Sequence, residues 1–183
     1  MIWTQWSDLK IPNGLTHLPT DGVTPRQEDL SKITFYVPAY MFGAAALKPI
    51  AKMSSLKVIQ SPNAGVDDVI ALRPAGVTLC NAAGVHDAST AELAVGLAIA
   101  ARRGFAQFAK DQSAGKWSHT TYASLTDSKV AIVGHGNIGK TIAGMLAGFE
   151  VEITSFSKSG SDGALKMDKF DALLPTFDVI ILI

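Results

Sequence analysis

Residues 130–139 read VAIVGHGNIG, with glycines at 134, 136 and 139 directly after a short apolar run and before a helical pattern. In a strand–turn–helix setting each glycine has its own task. Gly134 permits the tight turn, Gly136 lets backbone approach a diphosphate with no side chain in the way, and Gly139 lets helix and strand pack closely. The helix start adds free amides and a positive dipole end. Gly134, His135, Gly136, Asn137, Ile138 and Gly139 are therefore a candidate site for the diphosphate of a nicotinamide dinucleotide. The same residues also spell Gly134-x4-Gly139-Lys140-Thr141, the P-loop of nucleoside triphosphatases, in which Lys140 would meet phosphates and Thr141 would hold magnesium. Three features favour the dinucleotide. A full α/β unit precedes the motif, Asp178 stands at the start of a later strand and not at its carboxyl end, and the P-loop has no need of Gly136.

About 20 residues past such glycines, proteins that bind NAD carry an acidic residue for the ribose hydroxyls. Here residues 154–159 read TSFSKS, without a carboxylate. Ser157 and Lys158 would instead welcome a 2′-phosphate, so NADP(H) is the expected cofactor, with NAD(H) as the other possibility; the plainer reading makes Lys158 an ordinary exposed lysine. A second candidate site is QSPNAGVD, residues 60–67, at the carboxyl end of an expected strand. Free amides at Ala64, Gly65 and Val66, after Asn63, suit a small carboxylate, and Gly65 would supply unusual backbone angles. A plain strand-to-helix turn has the same spacing.

These loops need elements to hold them. Apolar, β-branched runs predict strands at 33–37, 56–60, 77–81, 130–133, 151–155 and 179–183, with helical patterns at 44–53, 67–72, 138–147 and 168–174. The alternation, with strands apolar throughout, predicts an open parallel α/β sheet. Ser89-Thr90-Ala91-Glu92 reads as a capping box opening one long helix that runs on to Lys110. That helix is apolar on most sides, which predicts burial between domains or subunits. The domain boundary is placed just before it, giving units 1–86 and 87–183, with an irregular connection at 116–127.

Composition excludes several classes. The chain has 183 residues, 48% of them hydrophobic, enough for a sizeable core. Sixteen basic residues balance sixteen acidic ones, so nothing announces a nucleic-acid face. No apolar run reaches the roughly 18 residues of a membrane span, and the opening MIWTQWSDLK lacks a signal-peptide layout. One cysteine, Cys80, reads as core at a strand end and cannot form an internal disulfide. A cytoplasmic protein with neither metal site nor membrane is expected. The closing residues, FDVIILI, read as a buried strand with no return connection, which predicts either a fragment or a tail paired with something else.

Three segments in register resemble the D-isomer-specific 2-hydroxyacid dehydrogenase family: SPNAGVDDV, NAAGVHDASTAELAVGLAIAARR and VAIVGHGNIGKTIAGML. The resemblance runs from about Leu56 to the end and more loosely over residues 1–55. It implies a flavodoxin-like substrate domain, here 1–86, then the first half of a Rossmann-like doubly wound parallel sheet, here 87–183, with the active site in a cleft between. It implies an oxidoreductase that reduces a small 2-oxo acid, glyoxylate or hydroxypyruvate in type, to the D-2-hydroxy acid, working as a homodimer through the 89–110 helix region. Carried over by position, Asn63, Ala64 and Gly65 would hold the substrate carboxylate, and Thr90 would lie near the nicotinamide. Ser157-Lys158 resembles a Ser-Arg pair of the branch that uses NADPH. The family's catalytic Arg, Glu and His would fall beyond Ile183, so no catalytic residue is assigned. His135 lies in the phosphate turn, His86 near the hinge, and His17 and His119 in variable segments. The 183 residues alone are thus expected to be inactive. The alternatives are a dinucleotide-sensing module of the same family and a P-loop nucleoside triphosphatase.

Overall fold

A computed structural model of the chain describes residues 1–19 and 27–183. It divides into two compact units, Met1–Val85 and His86–Ile183. The first unit carries strands β1 (Ile2–Thr4), β2 (His17–Pro19) and β3 (Phe35–Tyr36), helix α1 (Gly43–Leu47), strand β4 (Val58–Gln60), helix α2 (Asp67–Ile70) and strand β5 (Thr78–Cys80). The second carries helices α3 (Asp87–Arg102) and α4 (Phe105–Ser113), strand β6 (Lys129–Val133), helix α5 (Asn137–Leu146), strands β7 (Glu152–Ser157) and β8 (Leu165–Lys166), helix α6 (Phe170–Leu173) and strand β9 (Val179–Leu182).

All strand pairs among the described residues are parallel. The first sheet has the order β2-β1-β3-β4-β5, the flavodoxin-like 2-1-3-4-5 arrangement. Its core is built on Trp3 stacked against Tyr36, ring centres 4.6 Å apart, with Ile33, Ile50 and Ile59 packed around them. The buried Tyr36 hydroxyl donates to the Ala46 carbonyl, and burial pushes this phenol well above its ordinary pKa. The continuous helix expected over 44–53 is two pieces. Pro49, at the start of the second, lacks the N–H that α-helical bonding needs, so Lys48–Lys52 tightens into a 3-10 turn.

The second sheet has the order β8-β7-β6-β9. Renumbered from β6, this is 3-2-1-4, the opening of the Rossmann order 3-2-1-4-5-6. β6 lies at the centre with Val130, Ala131 and Ile132 fully buried, as a strand covered on both faces requires. β9 lies at one edge.

The long apolar helix departs from expectation in two ways. It begins at Asp87, so Ser89 falls inside its first turn; the Ser89 hydroxyl donates to the His86 carbonyl (3.2 Å) and no side chain caps the helix. The capping box is therefore not formed. Nor does the helix run on to Lys110. Gly104, in the left-handed region at φ +66°, breaks it and starts α4, and a Cβ there would overlap the Tyr122 ring. Ala91, Val95 and Ala98 form a buried stripe, while Leu93 and Leu97 are about 60% exposed. Their spacing of three to four residues gives the helix one face buried within its own unit and one apolar face open in the single chain. Cys80, expected in the core, is only half-buried.

Candidate functional site

The glycine turn sits at the carboxyl end of central strand β6. Two backbone bonds hold it: the Gly134 amide donates to the Phe156 carbonyl (2.9 Å) and the Ile183 amide to the Val133 carbonyl (2.9 Å). Gly134 has φ +120°, and a Cβ there would strike the Ile183 carbonyl. A Cβ at Gly139 would overlap the Gly134 carbonyl oxygen. Chain geometry thus demands glycine at both positions. Gly136 differs. Its φ of −78° suits any residue, and a Cβ would have no neighbour within 4 Å. Gly136 is the N-cap of α5, and no side chain caps that helix. The first helical bond is Lys140 N–H to the Gly136 carbonyl (3.0 Å), so the amides of Asn137, Ile138 and Gly139 precede the ladder and lack helical acceptors. An open Cβ position beside uncapped amides is a cradle that fits a diphosphate.

His135 is half-buried. Its Nε2 donates to the Asp162 carbonyl (3.1 Å), and its Nδ1 is buried with no partner among the described residues. Lys140 Nζ donates to Asp162 Oδ2 (2.8 Å). That hydrogen bond, reinforced by the lysine's charge, holds the Asp162 carboxyl below the usual carboxylate range. The Thr141 hydroxyl donates to the Asn137 carbonyl inside its own helix (2.9 Å). The hydroxyl that a P-loop would aim at magnesium is thus turned into its own helix, while the Lys140 ammonium rests on the exposed Asp162 carboxylate. Asp178 opens β9, at the opposite end of the sheet from the glycines. It accepts the Lys129 amide (2.9 Å) and lies 4.0 Å from Arg102. It joins strands and helix and is not placed to hold a metal over the turn.

β7 ends beside the turn, with Val133 in register with Phe156. Ser157 is half-buried and accepts the Gly160 amide (3.0 Å), while Lys158 is exposed. Residues 154–159 carry no carboxylate, but the loop after them returns Asp162 to the glycine turn. The sequence signal for this was the Asp162-Gly163 pair, a turn former, with Asp162 left-handed at φ +56°. Thr90 lies half-buried in the first turn of α3, the helix that packs along α5.

In the first unit, residues 60–67 leave the carboxyl end of β4. The loop is braced against the chain after β5: Asn81 Nδ2 donates to the Ala64 carbonyl (2.9 Å), and the Ala82 amide donates to the Asn63 carbonyl (3.0 Å). The Asn63 amide donates to the buried Ser61 hydroxyl (3.1 Å). A cavity of about 260 Å³ opens here, lined by Pro38, Ala39, Ser61, Pro62 and Asn63 among others. Ala64 and Gly65 are exposed. The unusual backbone angles expected of Gly65 do not extend to a positive φ, and a Cβ there would meet nothing within 4 Å. Neither sterics nor conformation requires glycine there.

A further cavity of about 630 Å³, lined by Phe108, Asp111, Trp117 and His119, shares no residue with either loop. Among the described residues, no group of three His, Cys, Asp or Glu side chains could hold a metal ion, and no helix is long and apolar enough to cross a membrane.

The 3-2-1-4 parallel sheet and its glycine turn define a dinucleotide-binding α/β protein of the Rossmann class. Residues 95–183 match the model of the D-isomer specific 2-hydroxyacid dehydrogenase NAD binding domain. The chain belongs to the D-isomer specific 2-hydroxyacid dehydrogenase family. It is similar to the D-3-phosphoglycerate dehydrogenase of Archaeoglobus fulgidus, 30% identical over 140 residues that cover 72% of this chain and 27% of that one. It is also similar to the hydroxypyruvate reductase of Thermotoga maritima, 29% identical over 121 residues, 64% of this chain and 40% of that one. A family member from Aeromonas salmonicida shares the fold with a TM-score of 0.82 at 24% identity, over 94% of this chain and 56% of that one. The chain thus spans less than half the length of these two curated relatives.

Proposed function

We propose that this chain is the substrate-side and cofactor-side portion of an NADP(H)-preferring D-2-hydroxyacid dehydrogenase. The substrate is a small 2-oxo acid of the glyoxylate or hydroxypyruvate type. The observation that carries the reading is Gly136: nothing in the fold requires glycine there, yet it opens a helix whose first amides are uncapped. A close-approaching diphosphate explains both facts. On this reading residues 1–86 form the substrate domain and 87–183 the cofactor domain. Gly134, His135, Gly136, Asn137, Ile138 and Gly139 hold the diphosphate, and Thr90 lies toward the nicotinamide. Asn63, Ala64 and Gly65 receive the substrate carboxylate; the braced loop and its open Gly65 support this. When bound, the cofactor supplies the hydride. The chain's own residues bind and orient.

Ser157 and Lys158 favour the 2′-phosphate by charge and hydrogen bonding. The exposed Leu93 and Leu97 on α3 and Phe105 on α4 support a homodimer through the 89–110 region. The 183 residues bind cofactor without turnover, because no Arg–Glu–His set of the family's pattern is assigned among them. The test is equilibrium binding of NADPH and NADH to the purified chain, with glyoxylate and hydroxypyruvate reduction followed at 340 nm. The expected result is tighter binding of NADPH, a roughly tenfold selective loss in Lys158→Ala, and no reduction of either acid. Equal loss of both cofactors in Lys158→Ala would remove the 2′-phosphate argument. Turnover by the chain would remove the assignment of a non-catalytic portion.

A further inference from the structure

Residues 157–162 carry an inference that rests on the dinucleotide reading above and deepens it. Two bonds from consecutive residues of the glycine turn bracket this loop: Gly134 N–H to the Phe156 carbonyl (2.9 Å) and His135 Nε2 to the Asp162 carbonyl (3.1 Å). Between them the chain folds back on itself. The Gly160 amide donates to Ser157 Oγ (3.0 Å), the Ser159 and Ser161 hydroxyls lie 2.8 Å apart, and the Ala164 amide donates to the Ser161 carbonyl (3.1 Å). The result is a compact polar loop beside the turn, at the strand end where an adenosine ribose is read. Asp162 closes it with its carboxylate on Lys140 Nζ at 2.8 Å. That contact lowers the Asp162 pKa, chiefly through the hydrogen bond from Lys140 and then through its charge. Both side chains remain open to solvent, 48% and 65% exposed, so a charged ligand can reach the lysine.

We propose that Asp162 is a built-in counter-ion that competes with the cofactor's 2′-phosphate for Lys140, and so sets how strongly the site prefers NADPH over NADH. A phosphate monoester near neutral pH carries between one and two negative charges, a carboxylate one, so the phosphate outbids Asp162 for the lysine. The displaced carboxylate then stays nearby and repels it. A ribose with two hydroxyls leaves the ion pair intact and neither gains nor loses. Ser157 and Lys158 build the phosphate site, and Asp162 weakens it.

The sign of the effect follows. Asp162→Asn keeps the side-chain shape and its tolerance of the left-handed backbone, but removes both competition and repulsion. NADPH affinity should rise about three- to tenfold at low salt, the size of one or two screened charge interactions at a protein surface, and the gain should shrink at high salt. NADH affinity should stay within about twofold. Lys140→Ala should lower NADPH affinity and leave NADH unchanged. Asp162→Gly suits φ +56° without any side chain and should reproduce the gain, so a folding defect in one variant does not shelter the idea. The experiment is calorimetric or fluorescence titration of the purified chain and these variants with NADPH and NADH. If both cofactors bind but the NADPH:NADH ratio is unmoved in Asp162→Asn and Asp162→Gly, the counter-ion role is wrong. Weaker NADPH binding in those variants also overturns it, because Asp162 would then be ordering the loop. If neither dinucleotide binds the parent chain, the dinucleotide reading itself fails and takes the counter-ion with it.

Discussion

Gly136→Ala separates the needs of the fold from those of the ligand. The new methyl meets no atom within 4 Å, and φ −78° is ordinary for alanine. Losing glycine at a helix N-cap costs about 0.5–1 kcal/mol, because alanine is a poor cap. Stiffening the unfolded chain returns about 0.4–1 kcal/mol. The two nearly cancel, so the expected stability change is within about 0.5 kcal/mol, or roughly 2–4 °C in Tm for a unit of this size. Gly139→Ala is the control. Its methyl overlaps the Gly134 carbonyl oxygen, a backbone atom that cannot rotate away. Overpacking of this kind costs about 1–3 kcal/mol, so Tm should fall by roughly 4–24 °C. Cofactor binding should rank the variants differently. The methyl at 136 stands where a diphosphate would approach the helix amides. Gly136→Ala should therefore weaken NADPH and NADH alike by about 10- to 100-fold, equivalent to about 1.4–2.8 kcal/mol. Thermal melting by circular dichroism and titration with both dinucleotides supply the two readouts. A Gly136→Ala protein that melts like the parent and binds both cofactors normally would overturn the diphosphate assignment, since no ligand would then come close to that backbone.

Two further expectations concern the scaffold. Tyr36→Phe removes the hydroxyl that donates to the Ala46 carbonyl and leaves that acceptor buried, so denaturant unfolding of the first unit should show a loss of about 1–3 kcal/mol. Burial raises the Tyr36 pKa in the folded state above its unfolded value near 10. The protonated form is thus the one the fold favours. Its contribution is complete below about pH 10 and is lost above it by about 1.4 kcal/mol per pH unit, a slope that Tyr36→Phe should abolish in alkaline denaturation. Asp178→Ala should cost the second unit about 1 kcal/mol by freeing the Lys129 amide. Asp178→Asn, which keeps an acceptor and loses only the 4.0 Å attraction to Arg102, should cost under half of that in urea unfolding.

What the amino-acid sequence determines by itself is local. Residues 130–139 specify a strand, a turn and a helix start because each step depends on neighbours a few residues away. Gly134 needs its φ, Gly139 packs on a carbonyl five residues back, and the apolar run before them suits a central parallel strand. The parallel α/β class is legible for the same reason, in apolar strands spaced by helical patterns. Strands β1, β2 and β8 are not legible: with two or three residues each, they have no periodicity of their own and exist because a partner strand supplies hydrogen bonds. The helix from Asp87 is readable as a helix, but which of its faces turns inward depends on packing against α5, and its break at Gly104 lies under the Tyr122 ring, eighteen residues along the chain. The same holds for charge. The sequence past β7 shows Ser157 and Lys158 with no acid, whereas the folded loop carries Asp162 back to Lys140, 22 residues away. Spacing along a chain records which residues share a turn. Only the closed fold decides which charges share a site, because that depends on where loops of unlike origin return to the same sheet edge.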